Sequence, residues 1–257
     1  MTVDVDLVWI TTVFLVALRL GVVLTLSPVF TGLAGLATVR VLLTLALSTL
    51  LVSGLHLRAG AAGLGGIDFA ALALAGAGEV FIGATLAFGV YAAFGAFSVA
   101  GKILDIQSGF GLGAVYDPVT RAGSPLFATM LNLVAVAAFF GMDAHHALLR
   151  GLAFSLTELA PGAGLRMLDA NAVVRQFGLM FSLGVALIIP VMLCLLLVEA
   201  GLAVISRVLP QMNVFIVLVP VKVFAGLAIF AMTIGALEPA MARVYASIFT
   251  FWEQVLR

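Results

Sequence analysis

Charge is what this 257-residue chain has least of: Asp, Glu, Lys and Arg together make up 9% of it. A soluble globular domain carries about 25%, so there is too little polar surface here to cover a water-exposed body of this size. Hydrophobic residues reach 64%, and an integral membrane protein is the reading that fits. The 12 basic and 12 acidic residues cancel. No basic tail or patch points to nucleic acid or to an anionic lipid surface. A single cysteine, Cys194, excludes an intrachain disulfide and a cysteine metal cluster; it reads as a small buried hydrophobe. Met1 to Asp6 holds Asp4 and Asp6 but no lysine or arginine. It thus lacks the positive start of a secretory signal peptide, and the first apolar segment is expected to stay in the mature protein. The short alternating segments of a membrane β-barrel are missing. A long linker and a polar low-complexity tail are missing too, so residues 1–257 are read as a single membrane domain.

What is present is six apolar stretches, at about Leu7–Leu26, Ala37–Leu55, Phe69–Ala100, Leu126–Met142 (with a continuation towards Leu159), Phe177–Val204 and Val214–Leu237, then an amphipathic tail to Arg257. Each is near the roughly 20 residues that cross a bilayer core as a helix. Backbone groups in lipid must pair within their own segment, so the expected fold is all-α and polytopic. Segments longer than one span must tilt, kink or leave the bilayer. Pro190 is expected to kink the fifth. Gly83, Gly89 and Gly95 allow close helix approach in the third. Basic residues at Arg58, Arg150, Arg166, Arg175, Arg243 and Arg257 mildly outweigh those on the other side. This places both termini in the cytoplasm and the loop from Lys102 to Pro125 outside.

That loop is the most polar interruption in the chain. It runs from Gly101 through Gln107, Ser108, Gly109, Phe110, Gly111, Leu112, Gly113, Val115, Tyr116, Asp117 and Pro118 to Ser124-Pro125. One reading is an ordinary re-entrant or extracellular loop. The sharper one is a constriction or plug, in which Phe110, Leu112 and Val115 close a pore while the glycines let it move. Pro125 suits the first turn of the next helix. A second motif, Pro210-Gln211-Met212-Asn213-Val214-Phe215, reads as a tight helical-hairpin turn. Pro210 ends the helix before it, Asn213 can cap the helix after it, and Gln211 and Asn213 can pair across helices.

Four charges fall inside apolar segments: Arg19, Glu79, Glu199 and Lys222. Such groups pair, face protein or line an aqueous path. Glu199 is expected to pair with Lys222 or Arg207. The alternative is a proton relay through Glu79, Glu199 and Lys222, as in a proton-coupled secondary transporter of small molecules. A membrane enzyme centred on Asp143 and His145 is a third option. Yet Asp143, His145 and His146 match no strong zinc spacing, adjacent helix positions do not share a face, and His56 is distant. They are read as a helix end at an interface, with no metal and no cofactor. Gly109-Phe110-Gly111-Leu112-Gly113 follows no strand and lacks the Lys-Ser/Thr ending of a phosphate loop. No strand–turn–helix context supports a nucleophile elbow. The chain is therefore not read as an enzyme.

Taken in order, these motifs resemble a known family. Arg19 precedes Ser27-Pro28-Val29-Phe30. Gly78-Glu79-Val80-Phe81-Ile82-Gly83 comes next, then Gly101 through Asp117-Pro118, Ser124-Pro125 with Leu131-Asn132-Leu133, and Asp143-Ala144-His145-His146. Pro210 to Phe215 leads last into Pro220-Val221-Lys222. The order, spacing and chain length resemble the flagellar biosynthesis protein FliR and its SctT counterparts in virulence-type type III secretion. The resemblance implies a bacterial inner-membrane component of an export gate, present in one copy in a helical assembly with FliP-like and FliQ-like subunits. That assembly would lift much of the helical mass above the bilayer, and an FlhB-like switch protein would be its partner. It implies a FliP-like part over 1–170 with a plug loop at about 106–123, and a FliQ-like helical hairpin over 171–257. The Gln211-Met212-Asn213 turn, which the charge count with six spans puts on the outer side, would then sit at the cytoplasmic entrance, and the family match is preferred. The substrates would be unfolded secreted proteins, driven by the proton motive force and partner proteins. No residue separates the flagellar from the virulence branch; the flagellar reading is favoured.

Overall fold

The structure, a computed structural model, describes residues 7–31, 37–58, 69–109, 125–163, 169–208 and 214–256. Every regular element among them is helical: α1 (Leu7–Leu26), α2 (Pro28–Thr31), α3 (Ala37–Gly54), α4 (Phe69–Ser108), α5 (Leu126–Gly141), α6 (Ala144–Glu158), α7 (Ala170–Val208), α8 (Val214–Thr233), a 3₁₀ turn (Ile234–Leu237) and α9 (Glu238–Leu256). Five helical stretches are long and apolar enough to cross a membrane: Leu7–Leu26, Ala37–Gly54, Phe69–Ser108, Ala170–Val208 and Pro220–Leu256. A sixth is added if α5 and α6 make one broken span. The protein is all-α and built as a multi-pass membrane chain.

Several expectations are corrected. The third apolar stretch does not end near Ala100: α4 continues to Ser108, so Gly101–Ser108, read as loop, is helical. Ala100 and Leu104 are fully buried there, and that burial carries the helix past its polar residues. The fourth stretch is interrupted where Asp143 takes a left-handed φ of 56°, a conformation Asp tolerates better than most residues. α7 starts at Ala170 and runs through Pro190 to Val208 as one helix. The sixth stretch ends as a helix at Thr233, and the tail is a separate helix, α9. Cys194 is half-buried rather than buried.

The described chain forms two compact units, drawn from residues 1–92, 143–176 and 247–257, and from residues 93–142 and 177–246. In the first, Val16, Leu20 and Val23 of α1, Leu86 and Val90 of α4, and Leu152 and Leu156 of α6 are almost fully buried. Trp252 of α9 joins them, its indole N–H donating to the Leu86 carbonyl at 3.0 Å. Gly151 makes room for that ring: a Cβ there would lie 2.6 Å from Trp252 Cζ3. Of the three glycines expected to bring helices together, Gly83 lies against α1 backbone, where a Cβ would meet the Arg19 carbonyl at 2.8 Å. Gly89 accommodates the Phe251 side chain, and Gly95, in the second unit, that of Met180.

The second unit is centred on aromatic rings. Phe94, Phe97, Phe139 and Tyr245 meet with centroids 5.6–6.3 Å apart, a separation typical of favourable aromatic pairs. The Tyr245 hydroxyl donates to the Ala135 carbonyl at 2.6 Å. α4 and α5 cross at Gly101, where a side chain would collide with the Ala128 backbone. Beside the crossing, Ser98 donates to the Asn132 side-chain carbonyl at 3.0 Å.

Candidate functional site: a buried ion pair and the base of a polar loop

In the first unit Arg19, on the inward face of α1, is 0% exposed and Glu79 of α4 is 1% exposed. The guanidinium engages the carboxylate through two bonds, Nε to Oε2 at 2.6 Å and Nη2 to Oε1 at 3.1 Å. Its remaining N–H groups donate to the carbonyls of Ser155 at 2.8 Å and Leu159 at 3.0 Å. Glu79 also accepts the backbone N–H of Gly162 at 2.9 Å. Gly162 has φ 83°, a left-handed turn that glycine supplies without strain. Two buried charges in an apolar setting are tolerable only when nearly every lone pair and proton is matched. Here the matching ties α1, α4, the end of α6 and the turn after it into one knot.

In the second unit a carboxylate does a different job. Asp105 of α4 is 5% exposed and accepts the backbone N–H groups of Phe127 at 2.8 Å and Ala128 at 3.1 Å. These belong to the first turn of α5, whose cap position is Pro125 and offers no side-chain acceptor. A helix needs acceptors for its first free N–H groups, and a carboxylate also complements the positive end of the helix. Asp105 supplies both from 22 residues away. Later on the same helix, Gln107 donates to the Met192 carbonyl of α7 at 3.2 Å. Both flanks of the polar loop are thereby fixed to helices.

Of the residues singled out from sequence, Gln107 lies on α4, and Gly109 closes that helix with φ 85°, its N–H donating to Ile106 at 3.1 Å. Phe110, Gly111, Leu112, Gly113, Val115, Tyr116, Asp117 and Pro118 lie outside the described residues, as do Pro210, Gln211, Met212 and Asn213. Phe215 falls in α8. Lys222 reaches Glu199 at 3.0 Å, with the lysine 8% and the glutamate 51% exposed. Arg19 and Glu79, flagged separately, are brought together. Asp143, His145 and His146 do converge, with one potential ligand atom from each within 4.8 Å of the others. The histidine rings lie 4.1 Å apart, against the expectation that neighbours on a helix point away from one another. The left-handed Asp143 lets its carboxylate reach His146 Nδ1 at 3.3 Å, and both side chains are well exposed.

Asp105, Ser155 and Gly162 were missed as site residues. Asp105 carried a usable signal: an isolated acid at the end of an apolar helix, ahead of a helix whose start is a proline and so cannot cap itself. Ser155 and Gly162 carried little, because what they offer the pair is chiefly a backbone carbonyl and a backbone N–H, although the left-handed φ of Gly162 does favour glycine there.

The family model described as bacterial export proteins, family 1, matches residues 10–248. The flagellar biosynthetic protein FliR of Bacillus subtilis is 28% identical over 173 residues, 65% of this chain and 66% of that protein. FliR of Escherichia coli K12 is 24% identical over 181 residues, 69% of each chain. The surface presentation of antigens protein SpaR of Shigella flexneri is 31% identical over 154 residues, 59% of this chain and 58% of that one. The aligned regions thus span about two thirds of the FliR relatives. With a family match running from α1 into α9, over an all-α membrane fold, this chain belongs to the bacterial export proteins of family 1, the family of FliR and SctT.

Proposed function

We propose that this protein is a single-copy subunit of a flagellar type III export gate in the bacterial inner membrane, within the basal body. With FliP-like and FliQ-like subunits it forms and seals a channel for unfolded secreted substrates, next to an FlhB-like switch protein. The observation that carries this reading is the family match over residues 10–248, nearly the whole chain rather than one motif. The exposed apolar surface supports it. Phe69, Val174, Leu197, Val208, Phe224 and Met232 are each at least 70% exposed, apolar surface that neighbouring subunits could cover. The protein does no bond chemistry; helices and loops do the work.

In this reading residues 1–170 form the FliP-like part and residues 171–257 the FliQ-like hairpin, a division supported by the fresh helix start at Ala170. The plug is the loop at about 106–123, and the turn Pro210–Asn213 with Phe215 faces the cytoplasmic entrance. The transporter alternative asks Glu79 to carry a proton. Glu79 is held by Arg19 and by the Gly162 N–H, a poor arrangement for a group that must load and release one.

Co-purification from native membranes tests the assembly. A tagged chain is expected to come out with FliP-like and FliQ-like partners in a stoichiometric complex. Recovery as a stable lone monomer that takes up small molecules in liposomes would return the transporter reading. The plug is tested separately. Replacing Gly109, Gly111 and Gly113 together by alanine stiffens the loop and is expected to slow secretion of a reporter substrate without changing subunit recovery. Unchanged secretion would remove loop mobility from the mechanism.

A further inference from the structure

The start of α6 gathers three side chains whose spacing in sequence speaks against a metal. Asp143 is the reason they meet. Its left-handed φ of 56° lets the carboxylate reach the first turn of the helix, where Asp143 Oδ1 lies 3.3 Å from His146 Nδ1. The backbone holds that arrangement, with the His146 N–H donating to the Asp143 carbonyl at 3.0 Å. His145 completes the group. Its ring lies 4.1 Å from that of His146, the planes tilted by 35°. One ligand atom from each of the three residues is within 4.8 Å of the other two. All three residues belong to the first unit.

Two donors bound to one zinc ion at about 2.1 Å and at the tetrahedral angle are about 3.4 Å apart. Asp143 and His146 already have that separation. The wider gap to His145 closes by side-chain rotation, and there is room for it: the side chains of Asp143 and His146 are 75% and 62% exposed. Two imidazoles and a carboxylate are a donor set that suits zinc, with the fourth position left to water. We propose that Asp143, His145 and His146 bind one divalent transition-metal ion of the zinc type. A hard ion such as magnesium prefers all-oxygen surroundings and is not the occupant. The simpler account, an ion pair between Asp143 and His146, is worth little between exposed groups and gives the second imidazole no part. A bound ion ties the residue before α6 to the first turn of that helix. The site needs water at this turn, and it rests neither on where the bilayer lies nor on the export role.

The test titrates zinc into the full chain, with whatever partners purify with it, carrying a tag free of histidine and in competition with a chromophoric zinc chelator. The chain has 3 histidines, so each can be replaced in turn. His145→Gln and His146→Gln are each expected to lower zinc affinity at least about tenfold, since losing even an outer partner of a metal ligand costs about 10–100-fold. His56→Gln should leave it unchanged. Asp143→Gly removes the carboxylate but suits the left-handed backbone, so it should weaken zinc binding without straining the turn. Zinc should raise the unfolding temperature of the parent and not that of Asp143→Gly, and excess magnesium should not displace it. Equal zinc affinity in the parent and in both His145→Gln and His146→Gln overturns the proposal, as does a parent that takes up no zinc. A loss in His146→Gln with none in His145→Gln reduces the group to a two-residue contact and overturns the three-ligand site.

Discussion

Glu79→Ala should strip the protein from the membrane. The substitution leaves Arg19, 0% exposed, without its counter-charge, and the Gly162 N–H without its acceptor. Removing one partner of a buried ion pair costs about 3–5 kcal/mol, a large share of the roughly 5–15 kcal/mol that holds a typical domain folded. Arg19→Ala should be as damaging, because it leaves a buried carboxylate. The double variant Arg19→Met with Glu79→Leu should recover most of the loss, since apolar replacements of similar volume remove both desolvation penalties at once. Immunoblotting of membrane fractions, with detergent size exclusion of the solubilised chain, reads all three. If the single variants accumulate as well as the parent, the knot is not what holds α1, α4 and α6 together. If the double variant is no better than either single, the guanidinium contacts to the Ser155 and Leu159 carbonyls matter more than the pairing.

Asp105→Ala should be the second most damaging change. It deprives the Phe127 and Ala128 N–H groups of their acceptor in a place where Phe127 is 0% and Ala128 4% exposed. Each orphaned buried donor costs about 1–3 kcal/mol. Pro125, at the cap position, has no side-chain acceptor to take over. Water is a poor substitute at the tight α4–α5 crossing. Asp105→Asn should fall between, since it keeps one acceptor oxygen but turns its amide donors towards a helix end that also presents donors. Thermal unfolding of the solubilised protein should rank the parent above Asn and Asn above Ala. An alanine variant as stable as the parent would mean that α5 finds its cap elsewhere.

Composition was enough for the fold class, because a chain so poor in charge has few alternatives to membrane helices. The bounds of α1 could be read directly, as the apolar run from Leu7 stops at Ser27-Pro28. The extension of α4 could not. Gly101, Lys102, Asp105, Gln107 and Ser108 each favour a loop when judged locally. What keeps them helical is tertiary: the Gly101–Ala128 crossing and the bonds from Asp105 and Gln107 to residues 22 and 85 positions away. The intramembrane charges were half legible. Sequence marked Arg19 and Glu79 as costly and offered Glu199 the partner it has, Lys222. The Arg19–Glu79 match spans 60 residues and depends on how closely α1 approaches α4 at Gly83, which no local pattern encodes.

The length of two helices has a consequence for how the cell must make this protein. α4 has 40 residues and α7 has 39, so each rises about 60 Å, twice the roughly 30 Å of a bilayer core. Standing straight across the bilayer, each rod would leave about half of its apolar length outside the lipid. In the proposed export gate, other subunits would sheathe that excess, and the steady-state amount of the chain is then expected to follow the supply of those subunits rather than its own rate of synthesis, a form of dosage control that would be written into helix length.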